Sequence, residues 1–223
     1  MIKNLIWDYD GTLYDTYPKM LHCLHQALAD FGQTSLNRDE LYRLIKIKSI
    51  RFALNYYQQV YGIPADQVNQ RLHSYMRAPD ALVVKPFAGV AAVLRQVVAA
   101  GGVNLLETHN NHEAIAQMEQ DGLWQYFAGG ITADDDFPRK PDPTGLNALV
   151  AQHRLHPAQT VMVGDRRLDI EAGTAATLPT IYFDPDHFTD APMATYTVDQ
   201  IAAISPLLTA AEPGDFFELV RKF

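Results

Sequence analysis

The sequence predicts an α/β fold, a doubly wound parallel-sheet (Rossmann-like) core with a small inserted α-helical domain. Three observations lead there. Five short apolar runs each end in a polar residue, as buried strands do. Four segments with helical spacing separate these five runs from one another. One long stretch, residues 14–82, carries helical pattern with no convincing strand.

The five runs are Leu5–Trp7 before Asp8, Val103–Leu106 before Glu107 and Thr108, Gly130–Thr132 before Asp134, Val161–Val163 before Gly164-Asp165, and Ile181–Phe183 before Asp184. Helical spacing marks Val90–Ala100, Glu113–Gln120, Thr144–His153 and Ile170–Ala176. Strands alternating with helices build a parallel sheet covered on both faces, and such sheets bind ligands outside the carboxyl ends of their strands. In the long helical stretch, Leu21, Leu24, Leu28 and Phe31 recur at helical spacing, as do Leu41, Leu44 and Ile45, then Phe52, Tyr56 and Val60. Breaks fall at Gly32–Asn37, Gly62–Pro64 and Ala78–Pro79. The expected organisation is a core of residues 1–13 and 83–223 with a helical cap over 14–82, the chain returning at Lys85-Pro86. Extension of a single domain by these helices is the alternative.

Composition narrows the function. The chain has 223 residues, 48% hydrophobic and 20% charged, the balance of an ordinary globular protein. A net charge of −8 argues against a nucleic-acid partner. Cys23 is the only cysteine, so no intrachain disulfide forms. The most apolar stretch, Val90 to Leu106, is interrupted by Arg95, Gln96 and Asn104 and is unsuited to spanning a membrane. With no signal-peptide pattern at the start, a cytoplasmic location is expected. The oligomeric state is not legible.

The polar residues after the runs carry the chemistry. Asp8-Tyr9-Asp10-Gly11-Thr12 places two carboxylates in a strand-end loop, where one can hold a metal and attack while the other handles a proton. Gly11 permits a sharp turn that brings N–H groups to an anion; a plain hairpin turn is the alternative. Asp165 and Asp169, four apart, share a face once a helix starts and suit a hard ion such as magnesium. They also fit a turn residue and a first-turn acid. Lys140, between Arg139 and Pro141-Asp142-Pro143, is a stiffened loop lysine able to balance phosphate oxygens, or simply a solvated one. Thr108 can offer a hydroxyl to a phosphate, or cap a turn.

Acid pair, hydroxyl, lysine and second acid pair, each after a different strand and in this order, resemble the haloacid dehalogenase superfamily over nearly the whole chain. Trp7-Asp8-Tyr9-Asp10-Gly11-Thr12-Leu13-Tyr14-Asp15 resembles its first motif and Thr108 its second. Lys140-Pro141-Asp142-Pro143 is similar to the third, and Gly164-Asp165 with Asp169-Ile170-Glu171-Ala172-Gly173 to the fourth. Pro86 to Gly89 resembles the return from a helical cap inserted after the first strand, as in phosphoglycolate phosphatase and beta-phosphoglucomutase-like members.

The resemblance implies that Asp8 attacks phosphorus and that Asp10 protonates the leaving oxygen and then activates water. It implies Mg2+ held by the Asp8 carboxylate, the Asp10 carbonyl and Asp165, with Asp169 acting through a water or by orienting a ligand. Thr108 and Lys140 would grip the phosphoryl group of a small phosphorylated metabolite. Asp10 favours phosphate esters, since family members that cleave carbon–halogen bonds look different there. Glu107 departs from the usual apolar residue: strand alternation allows it to face away from the phosphate, while facing inward it would repel one, with Arg139 available to neutralise it. His109-Asn110-Asn111 is an atypical continuation. Lys46, Lys48 and Arg51 in the cap are candidates for substrate choice, against their reading as a solvated basic helix face. A sugar phosphomutase is the second functional reading, disfavoured because Met20 stands where related mutases carry a histidine, with His22 two places on. A catalytically silent binding or regulatory protein is the third, disfavoured because a silent site needs none of Asp8, Asp10, Thr108, Lys140 and Asp165.

Overall fold

The computed structural model describes residues 1–209, so residues 210–223 of the expected core lie outside the described residues. Six parallel strands form one sheet in the order β3-β2-β1-β4-β5-β6. They are β1 Asn4–Trp7, β2 Asn104–Glu107, β3 Phe127–Ile131, β4 Thr160–Gly164, β5 Thr180–Phe183 and β6 Tyr196–Val198. The chain lays β2 and β3 on one side of β1, then returns to lay β4 on the other. That reversal between β1 and β4 opens the crevice where sheets of this kind receive ligands.

The sequence pattern finds five of these strands and misses β6, whose three residues are too few to show a period. β3 starts earlier than its apolar run suggests because Gly129-Gly130 interrupts the pattern. Gly130 is needed there: a Cβ on it would come within 2.7 Å of the Leu106 side chain across the strand pair. In β2, Asn104 is buried yet satisfied, accepting from Trp7 Nε1 at 3.1 Å and donating to the Leu94 carbonyl, also at 3.1 Å.

Contacts divide the chain into two compact units, Met1–Tyr14 with the chain from Pro86 onward, and Asp15–Lys85. The second unit is helical: α1 Tyr17–Ala29, α2 Arg38–Ile47, α3 Ile50–Tyr61 and α4 Ala65–Met76. Leu24, Leu28, Leu41, Ile45, Leu54, Val68 and Leu72 are its buried centre. The Phe52–Tyr56–Val60 stripe belongs to a helix as its spacing predicts, but it faces outward. The buried side of α3 is Ala53, Leu54 and Tyr57. Within the sheet unit, helices α5 Val90–Ala99, α6 Glu113–Gln120, α7 Thr144–Gln152 and α8 Arg167–Ala175 fill the intervals between strands. Among the described residues no helix is long and apolar enough to cross a membrane.

Candidate active site

Asp8 leaves β1 with its N–H still bonded to the Val163 carbonyl of β4 at 2.9 Å, so the ladder fixes where its carboxylate begins. The turn that follows uses Gly11 at φ 78°, a conformation that favours glycine. Thr12 is buried and donates to Asp165 Oδ1 at 3.5 Å, tying this turn to the one after β4.

Lys140 is the centre of charge. Its Nζ lies 2.7 Å from Asp8 Oδ1 and 2.7 Å from Asp169 Oδ1, and it donates to the Glu107 carbonyl at 2.9 Å. Lys140 is itself buried and not a solvated loop lysine, although Pro141 beside it is exposed. Burial presses the lysine toward neutrality, but Asp169, Asp8 and Glu107 outweigh it and hold the ammonium charged. Asp8 is the converse case: burial lifts it well above the ordinary carboxylate range, with Lys140 drawing it down and Asp169 and Asp165 pushing it up. Asp169 is also opposed by burial, yet Lys140 and Arg166 keep it below its usual value.

Asp8, Asp165 and Asp169 form a buried triad whose ligand atoms lie within 4.8 Å of one another. Asp8 Oδ2 has no hydrogen-bond partner among the described residues. A dehydrated carboxylate oxygen is costly to leave so, and three hard oxygen donors at this separation fit a magnesium ion. Asp165 precedes α8 and is not on it, so the triad arises from the turn and not from a shared helix face. Asp169 fills the first-turn role as well, accepting from the Arg166 N–H at 3.1 Å.

The remaining candidates divide. Asp10 stands in the same turn, its Oδ2 accepting from Asn110 Nδ2 at 3.3 Å. Thr108 extends the β2–β3 ladder, donating its N–H to Ile131 at 3.0 Å; its hydroxyl oxygen accepts from Asn110 N, which leaves the O–H to donate. Lys46 corrects the solvated-face reading: it is 2% exposed, with Nζ 4.7 Å from the centre of the Tyr17 ring. Lys48 and Arg51 are exposed.

Glu107 corrects another expectation. Its side chain is buried, with Oε2 3.7 Å from Lys140 Nζ. Arg139 Nη2 donates instead to the His109 carbonyl at 3.0 Å. Sequence reasoning also passed over His109 and Asn110 as contributors. His109 Nε2 accepts the Lys140 N–H at 2.8 Å, so the loop after β2 grips the lysine by its backbone. Burial, then Lys140, Arg139 and Arg166, push His109 down to about 3, which keeps the imidazole neutral and able to accept. The only sequence signal was their unusual identity directly after a candidate phosphate-binding threonine.

A strand-end aspartate paired with a buried lysine, beside a carboxylate triad at the switch point of a parallel sheet, is the site of a phosphoryl-handling hydrolase. The sequence model of the haloacid dehalogenase-like hydrolases matches residues 5–183, and the chain belongs to that family. Within the superfamily it sorts with the phosphatases. A phosphoglycolate phosphatase of Agrobacterium fabrum is 30% identical over 216 residues, 91% of each chain. Another, from Rhodospirillum rubrum, is 27% identical over 96% of this chain and 94% of its own. A HAD-superfamily hydrolase from Geobacter sulfurreducens aligns with a TM-score of 0.70 at 20% identity, covering 93% of this chain and 96% of that one. CbbY from Rhodobacter sphaeroides, solved in complex with phosphate, gives 0.72 at 17% identity over 92% and 96%. At these identities the two structures speak to the fold alone.

Proposed function

We propose that this chain hydrolyses a small phosphate monoester through an aspartyl-phosphate on Asp8. The observation that carries the reading is the buried Lys140 ammonium, 2.7 Å from both Asp8 and Asp169, next to a triad fit for a divalent cation. An Asp8 oxygen forms the new bond to phosphorus as the ester P–O bond breaks, and Asp10 gives its proton to the departing alkoxide. The Asp10 carboxylate then takes a proton from water as that water attacks phosphorus, releasing phosphate and restoring Asp8. Lys140 and the Thr108 hydroxyl hold the transferring oxygens. Magnesium, held by Asp8, the Asp10 carbonyl and Asp165 with Asp169 in support, would supply charge neutralisation at the phosphoryl group.

The helical stretch 14–82 is proposed as the cap that reads the leaving half of the substrate. Water is the favoured acceptor because Met20, which has no exchangeable proton, packs against the helical unit's core. The named relatives make 2-phosphoglycolate the first compound to try. The deciding experiment measures phosphate release from an aryl phosphate with and without magnesium, then from a panel of phosphorylated metabolites. Magnesium-dependent release supports the reading, and none from any ester overturns it. Isomerisation of a hexose 1-phosphate with little phosphate released would make the protein a mutase.

A further inference from the structure

Glu107 is a buried carboxylate beside Lys140 to which the proposed chemistry gives no task. It closes β2 after Asn104, Leu105 and Leu106, and its side chain is buried. Its Oε2 stands 3.7 Å from Lys140 Nζ, while its own carbonyl accepts from the same ammonium at 2.9 Å. Gly145, in the first turn of α7, makes room for it: a Cβ there would sit 3.1 Å from Glu107 Oε1, closer than a relaxed contact. A buried carboxylate is costly unless a cation faces it, and Lys140 is that cation. Lys140 already meets Asp8 and Asp169 at 2.7 Å each, so Glu107 is the third carboxylate facing this ammonium.

A carboxylate added to the Asp8–Asp165–Asp169 triad has a consequence that differs in sign for the two kinds of ion. It strengthens the attraction of the site for a divalent cation and weakens it for a phosphate dianion. We propose that Glu107 is a positioning residue that holds the Lys140 ammonium and sets the site's preference for cation over anion, so that product phosphate is bound weakly and leaves. This rests on the phosphatase reading.

The test compares wild type with Glu107→Gln, which keeps shape and removes charge. Inhibition by inorganic phosphate is measured at saturating magnesium, and magnesium binding is measured by calorimetry without substrate. The expected result is phosphate inhibition tighter by about tenfold and magnesium binding weaker by several-fold. Glu107→Asp should move both constants back toward wild type. A thermal melt establishes that each variant is folded, and Glu107→Met carries the same comparison if the glutamine variant is not. Loosening of the site as a whole would weaken both ions together, and that outcome, or two unmoved constants, overturns the proposal. Wild-type protein that releases no phosphate from any ester overturns the phosphatase reading and this proposal with it. An active wild type with unmoved constants in the variants overturns the role of Glu107 alone.

Discussion

Two lysines are buried among the described residues, and they are buried differently. Lys140, at the strand ends of the sheet unit, meets Asp8 and Asp169 at 2.7 Å and Glu107 at 3.7 Å. Lys46, in the helical unit, lies with Nζ 4.7 Å from the face of Tyr17. An ammonium among carboxylates is part of a charge balance that shifts if any member is removed. An ammonium over a ring keeps a weaker and less exclusive hold, with its methylene stem contributing as much as its charge. The comparison sets an ammonium enclosed by carboxylates against one laid on an aromatic face.

Breaking the first cluster should have the largest effect. Asp8→Asn should lower turnover by at least about a thousandfold, since the amide is a poor nucleophile and no neighbour replaces it. The protein should stay folded by circular dichroism. Substantial residual phosphatase activity would remove Asp8 from its role. Lys140→Met leaves Asp8, Asp169 and Glu107 buried without their cation, so it should cost about 3–5 kcal/mol in a denaturant titration as well as activity. Lys46→Met should cost about 1 kcal/mol and leave turnover of a small aryl phosphate near wild type. Equal losses in the two lysine variants would erase the distinction drawn between them.

His109 sharpens the comparison through pH. Its folded value is pushed down to about 3, against about 6.5 for an unfolded histidine. Between those values the unfolded chain binds the extra proton, so the stability associated with a neutral His109 is complete above about pH 6.5 and declines as pH falls toward 3. His109→Gln, which keeps an acceptor for the Lys140 N–H, should flatten that part of the stability profile when melts are run across it. An unchanged profile would mean that other groups govern the acid limb. The smallest effects are expected at the exposed Lys48 and Arg51: alanine at either should change stability by less than about 0.5 kcal/mol.

The sheet and the Asp8–Lys140–Asp165 grouping were legible because both rest on repeating local rules. An apolar run ending in a polar residue marks a buried strand and, in a parallel sheet, the edge where ligands bind. What escaped rests on tertiary choice. The direction of Glu107 follows from the space left by Gly145, and the grip of His109 on Lys140 joins two loops 31 residues apart. The Phe52–Tyr56–Val60 stripe gave the right helix and the wrong face because periodicity locates a helix without saying which neighbours it meets. β6 was too short to leave a pattern.

The order of the strands has a consequence for how the protein comes into being. Asp8 is made first, yet Lys140 and Asp165 come 132 and 157 residues later, and β4 must slot in beside β1 before they converge. A nascent chain that ends after β3 holds Asp8, Asp10 and Thr108, but neither Lys140 nor Asp165 and Asp169. Such contacts, remote along the sequence, close late in folding because the intervening chain must first be ordered. On the proposed mechanism, activity toward phosphate esters would therefore report that β4 has docked beside β1, and a chain that stops short of β4 would be inert.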